Sequence, residues 1–99
     1  MDALQLIAEP RRQEILRLVW RDELPVGELV DQLDLSYPGV SQHLALLRGA
    51  GLVTVRRDGK RRLYQADHER LGPLKPFLES FWAGQVDRLA TLAEKAERS

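Results

Sequence analysis

The chain contains no cysteine. That absence removes disulfides, thiolate metal sites, cysteine nucleophiles and thiol redox sensing together, since each needs the sulfur. It fits a reducing compartment, and a cytoplasmic location is expected. No apolar run approaches the roughly 18 residues that a membrane-spanning helix needs. The opening stretch MDALQLIAEPRR lacks a basic leading region and a cleavage-site pattern, so no secretory leader is expected. Internal repeats and low-complexity linkers are missing too. Histidine occurs only twice, as His43 and His68. A metal site needs three or four converging ligands, so neither a metal nor another cofactor is expected. A triad on Ser41 and His43 also fails. Neighbours two apart on a helix point to different faces, and no glycine-rich elbow surrounds the serine. The chain is not expected to be an enzyme.

Net formal charge is likewise absent, with 15 bases balancing 15 acids. The balance is uneven along the chain. Residues 1–35 carry −4, residues 36–66 carry +5 and residues 67–99 carry −1. Fields act locally, so the middle third can meet a polyanion although the whole is neutral. With 99 residues, 43% of them hydrophobic and 30% charged, the chain reads as one domain spanning 1–99. A domain this small often leans on a partner subunit.

The pattern along the chain is helices, one hairpin, then a long helix. Residues 1–8 form a short apolar segment. Pro10 suits the first turn of a second helix, in which Ile15, Leu16, Val19 and Trp20 recur at helical spacing. Pro25 ends it. VGELVDQL makes a third helix with Val26, Leu29, Val30 and Leu33 on one face. Ser36 caps a fourth, with Pro38 in its first turn, and the glycines at 49 and 51 close it. LVTVRRDGKRRLYQAD is a two-stranded hairpin turning at Asp58-Gly59, with a basic tip. Pro73 opens a long helix to about Arg98. Its apolar stripe is broader than a core of this size needs, which points to burial against a second copy. The competing possibility is a helix packed wholly on its own core.

Two short helices joined by a tight turn and followed by a basic hairpin form the winged helix-turn-helix arrangement, in which the second helix enters the DNA major groove. On a helical wheel of the fourth helix, Val40, Leu44 and Leu47 point inward. Pro38, Ser41, Gln42 and Ala45 point outward, with Tyr37 at the tip. Gln42 suits a bidentate pair with adenine, and Ser41 suits a base edge or a phosphate. An outward face so poor in charge is odd in solvent and sensible in a groove. His43 falls roughly 60° from the inward stripe. It is a flank residue, read either as a phosphate contact or edge stabiliser, or as a partly buried structural histidine. In the wing, Arg57, Lys60 and Arg61 flank the turn most closely and would neutralise phosphates, as would Arg48 late in the fourth helix. Arg56 and Arg62 are read as pairing across the strands or with the acidic first third.

At this point the stretches AEPRRQEILRLV, SYPGVSQHLALLRGAGLV and RRDGKRRLYQAD resemble the ArsR/SmtB family of bacterial transcriptional repressors over nearly the whole chain. The resemblance implies a homodimer joined through first and last helices and bound to an imperfect palindrome near a promoter. It also implies recognition contacts at Tyr37, Pro38, Ser41 and Gln42. The family's metal-sensing function does not carry over. The third helix here has no cysteine, and the last helix offers only Glu79, Asp87, Glu94 and Glu97, without histidine. FLESFWAGQVDRLATLAE resembles instead a cysteine-free subgroup with an FW pair in the last helix.

The fold expected is therefore mainly α with a small β-hairpin, a winged helix-turn-helix that dimerises through its first and last helices. Its expected partners are double-stranded operator DNA and a second copy, with no membrane and no assigned small-molecule inducer. The candidate DNA contacts are Ser36, Tyr37, Pro38, Ser41, Gln42, His43, Arg48, Arg57, Lys60 and Arg61. The candidate subunit interface is Leu4, Ile7, Leu74, Phe77, Leu78, Phe81, Trp82 and Leu89. The runner-up reading is a winged-helix module whose basic wing docks an acidic protein. The uncharged outward face of the fourth helix, without apolar anchors, argues against it.

Overall fold

The structure, a computed structural model, describes residues 2–84 of the chain. It begins with two capped helices. In α1 (Ala3–Ile7), Asp2 accepts from the Gln5 amide at 2.8 Å while Gln5 Oε1 accepts from the Asp2 amide at 3.1 Å. This reciprocal box satisfies two of the free donors at a helix start. In α2 (Pro10–Leu18), Glu9 caps by accepting from the Arg12 amide at 3.0 Å, and Pro10 opens the first turn. The carbonyls that α1 leaves free are taken up by α2. Arg12 Nε donates to Leu6 O and Gln13 Nε2 to Ile7 O, each at 2.6 Å.

Helix α2 stops at Leu18, earlier than the apolar spacing through Trp20 suggested. The chain then forms β1 (Leu24–Pro25), which was not expected. It pairs antiparallel with the hairpin's return strand, Leu24 opposite Tyr64 and Pro25 opposite Leu63. The sheet is thus three-stranded, in the order β1-β3-β2, rather than a bare hairpin. A proline is tolerated there because β1 is an edge strand.

Helix α3 (Val26–Leu33) and helix α4 (Tyr37–Gly49) follow, and Asp34 makes the turn between them in the left-handed region at φ 54°. Ser36 caps α4, its Oγ accepting from the Gly39 amide at 3.1 Å. Gly51, at φ 77°, ends α4 and launches β2 (Val53–Asp58), and β3 (Arg61–Ala66) returns beside it. The turn proper is Gly59-Lys60, one residue later than the Asp58-Gly59 reading. Gly59 alone has positive φ (63°), the pattern of a type II′ turn.

Pro73 does not open the last helix. Asp67 caps a short α5 (His68–Leu71) by accepting from the Arg70 amide at 3.1 Å. A 3-10 turn (Gly72–Leu74) follows, and α6 runs over residues 75–84 within the described part. Among the described residues no helix is long and apolar enough to cross a membrane.

One core joins these elements, with Ile15, Leu16, Leu29, Val40, Leu44 and Leu47 fully inside. The residues expected at a subunit interface divide. Ile7 and Leu78 are 0% exposed inside the chain's own core, so their burial needs no second copy. Leu74 and Trp82 are half-buried against that core, with Trp82 edge-on to Trp20 at 4.8 Å. Leu4, Phe77 and Phe81 stay 57%, 51% and 44% exposed. Leu89 lies outside the described residues. Among the described residues, what reads as one broad stripe is two rows: Leu74 of the 3-10 turn with Leu78 and Trp82 of α6 at four-residue spacing inward, and Phe77 and Phe81 outward.

Candidate nucleic-acid interface

Helix α4 is oriented by its inward row. Val40, Leu44 and Leu47 are buried, as the wheel required, and that leaves the opposite side open. Tyr37, Pro38, Gln42, Ala45 and Arg48 are exposed, and Ser41 is half-buried. Tyr37, Ser41, Ala45 and Arg48 fall on one row and form a wall of an open groove of about 1180 Å³. Lys60, Arg61, Arg62 and Tyr64 of the hairpin form the facing wall, and residues 25–28, Val30 and Asp31 around the start of α3 complete it. Pro38 and Gln42 lie on the neighbouring row, beside Leu46, which is also exposed. Ser36 is engaged as the cap of α4 and sits at the helix entrance.

His43 is half-buried on the flank of α4, where its Nδ1 lies 3.3 Å from Arg12 Nη1. Arg12 is itself 8% exposed. The second histidine is remote from this face. His68 Nε2 donates to Trp20 O at 2.7 Å, and its ring packs edge-on against Trp20.

The wing cations have different fates. Arg56 is held by Glu23, its Nε 2.9 Å from the carboxylate, and this hydrogen bond and the charge of Glu23 raise the guanidinium above its ordinary range. It is the pairing with the acidic first third that the charge pattern suggested. Arg61 meets Asp58 at 3.1 Å in an exposed pair. Such pairs contribute little, so a stronger anion can displace the carboxylate. Arg57 and Arg62 stand directly opposite one another across the strands. Neither side chain makes an ion pair or hydrogen bond among the described residues.

Arg62 is therefore misjudged from sequence, where it is assigned a structural pairing. Strand alternation holds the signal: Arg62 lies two residues from Tyr64, on the face whose buried members Tyr64 and Ala66 turn toward the helices. The groove also contains two acids that sequence reasoning missed, Glu28 and Asp31 of α3. They place acids on its α3 side, whereas Arg48, Lys60, Arg61 and Arg62 place cations on its α4 and wing sides. Of the acids on the last helix, Glu79 is exposed, while Asp87, Glu94 and Glu97 lie outside the described residues.

Comparison with known proteins agrees with this geometry. Residues 9–55, from the cap of α2 to the start of β2, match the family described as bacterial regulatory protein, arsR family. The HTH-type transcriptional regulator Rv2034 of Mycobacterium tuberculosis is 39% identical over 92 residues, which span 93% of this chain and 86% of the relative. A solved structure of a possible transcriptional regulator for arsenical resistance superimposes with a TM-score of 0.71 at 38% identity, covering 92% of this chain and 95% of that one. HlyU from Vibrio cholerae gives 0.69 at 37% identity, with 79% and 82% covered. With this likeness and a helix-turn-helix whose second helix is exposed beside a basic wing, the chain belongs to the arsR family and is a winged helix-turn-helix, DNA-binding transcriptional regulator.

Proposed function

We propose that the protein acts as a homodimeric repressor in the cytoplasm, bound to an imperfect palindrome near a promoter, where its occupancy blocks transcription. Helix α4 of each subunit enters a major groove, and the two grooves lie about 10 bp apart or a multiple of that. Tyr37, Pro38, Ser41 and Gln42 meet base edges. Ser36, His43, Arg48, Arg57, Lys60 and Arg61 meet the phosphate backbone, and Arg62 joins them.

The observation that carries this reading is the groove between the outward row of α4 and the wing. A helix in the major groove and a wing beside it flank one sugar–phosphate strand, and the groove walls supply Arg48, Lys60, Arg61 and Arg62 where that strand would run. Arg57 and Arg62 add a further argument. Like charges directly opposite on a sheet are destabilising. A phosphate between them replaces that repulsion with charge-assisted hydrogen bonds. The exposed Leu4, Phe77 and Phe81 support a second copy as the other partner.

The test is binding to a palindromic fragment of the protein's own upstream region across a salt series. Affinity should fall linearly on logarithmic axes, with a slope reporting the phosphates neutralised. A flat salt response, or no preference over random duplex, would sink the reading.

A further inference from the structure

His43 sits on the reading helix but is held from behind. Its partner Arg12 is buried at 8% exposure and spans two elements. Arg12 Nε donates to Leu6 O of α1 at 2.6 Å, and Arg12 Nη1 lies 3.3 Å from His43 Nδ1 of α4. A guanidinium carries donors and no acceptor. Nδ1 must therefore accept, and the proton of the ring resides on Nε2. That nitrogen has no hydrogen-bond partner among the described residues, and it is not among their buried unpaired atoms. The ring is half-buried on the flank of α4, and Nε2 is not sealed from solvent.

We propose that Arg12 is a positioning residue for DNA binding: it fixes His43 as the Nε2–H tautomer, so that the ring presents one aimed, uncharged donor to a backbone phosphate of the operator. The inference rests on the DNA-binding reading and adds to it a mechanism for one contact. The order of elements makes it more than a local contact. Arg12 holds the carbonyl at the end of α1 with one nitrogen and the reading helix with another. The buried Nε–H would lose its acceptor if Arg12 left Leu6 O, so Arg12 keeps its place against α1 and its reach to Nδ1 depends on that anchor. A displacement of α1 is then felt at the His43 ring.

Two variants separate this role from a merely structural one. In His43→Asn the amide oxygen takes the place of Nδ1 and still accepts from Arg12, while nothing replaces Nε2. It should melt near the wild-type temperature and bind the palindromic duplex roughly tenfold more weakly. Its salt slope should be unchanged, because no charge is lost. The same variant assigns the His43 signals in ring 15N NMR, which should show the wild-type ring as a single Nε2–H tautomer. Arg12→Met removes the guanidinium, with its bonds to Leu6 O and His43 Nδ1, at similar length. It should give a mixture of ring tautomers and weaker binding, and combining it with His43→Asn should cost little further affinity.

A wild-type ring found as the Nδ1–H tautomer would overturn the proposal. So would a His43→Asn protein that binds as tightly as wild type, or losses that simply add. Should Arg12→Met not fold, the wild-type ring spectrum and the His43→Asn titration decide the matter alone. A wild-type chain that bound no duplex at all would remove the DNA-binding reading and this proposal together.

Discussion

Single side chains on this surface divide between those that tell sequences apart and those that merely hold the duplex. Gln42 is exposed on α4 and can meet an adenine edge through two hydrogen bonds. Arg61 stands at the wing tip in an exposed pair with Asp58. Gln42→Ala is expected to flatten base preference at one position of each half-site, at a cost of about 1–3 kcal/mol for the preferred base. Arg61→Ala should weaken all sequences alike and reduce the salt slope by about 1. Competition binding on a panel of single-base operator variants separates the two, and uniform loss in both proteins would refute the division of roles. At this scale the sequence was only partly informative. Charge density located the wing and pointed Arg56 toward the acidic first third, but it did not single out Glu23 or show that the Arg62 side chain has no partner among the described residues, because those fates depend on partners up to 33 residues away.

Among the elements, α4 was almost wholly legible. Its cap, its proline in the first turn, its inward row and its closing glycine are all local signals, and local chemistry acts before the fold is complete. Ser36→Ala tests that locality. Loss of the cap is expected to cost about 1 kcal/mol in urea unfolding. It should also weaken operator binding, because Tyr37 and Pro38 belong to the turn it holds. Full affinity with the expected loss of stability would show that the helix tip does not take part in reading. Strand β1 and helix α5 were not legible. The first is two residues long, contains a proline and forms only because β3 arrives beside it. The second is four residues long, too short for periodicity to register.

For the molecule as a whole, the decisive matter is which apolar residues the chain covers by itself. Ile7 and Leu78 are interior, whereas Leu4, Phe77 and Phe81 are left in solvent. The two groups should respond differently. Ile7→Ala is expected to destabilise the fold by about 2–4 kcal/mol. The double variant Leu4→Glu, Phe81→Glu should keep its circular dichroism yet sediment as a monomer. It should lose roughly a hundredfold or more in affinity for the full palindrome, because the second half-site no longer binds as part of the same molecule. A double variant that still sediments as a dimer would place the subunit contact elsewhere.

The amino-acid order by itself determined the helix-turn-helix, the inward and outward faces of α4 and the basic wing. Each is written in neighbours a few residues apart: a cap and its amide, a stripe at helical spacing, a glycine where the backbone must turn. Only the tertiary structure decided that α6 splits into an inward and an outward row. It also decided that β1 widens the hairpin into a sheet, that two acids face the same groove as four cations, and that Arg12 of α2 joins the end of α1 to His43. These are relations between segments distant in the chain. They exist only once burial brings the segments together and every buried donor must find its acceptor.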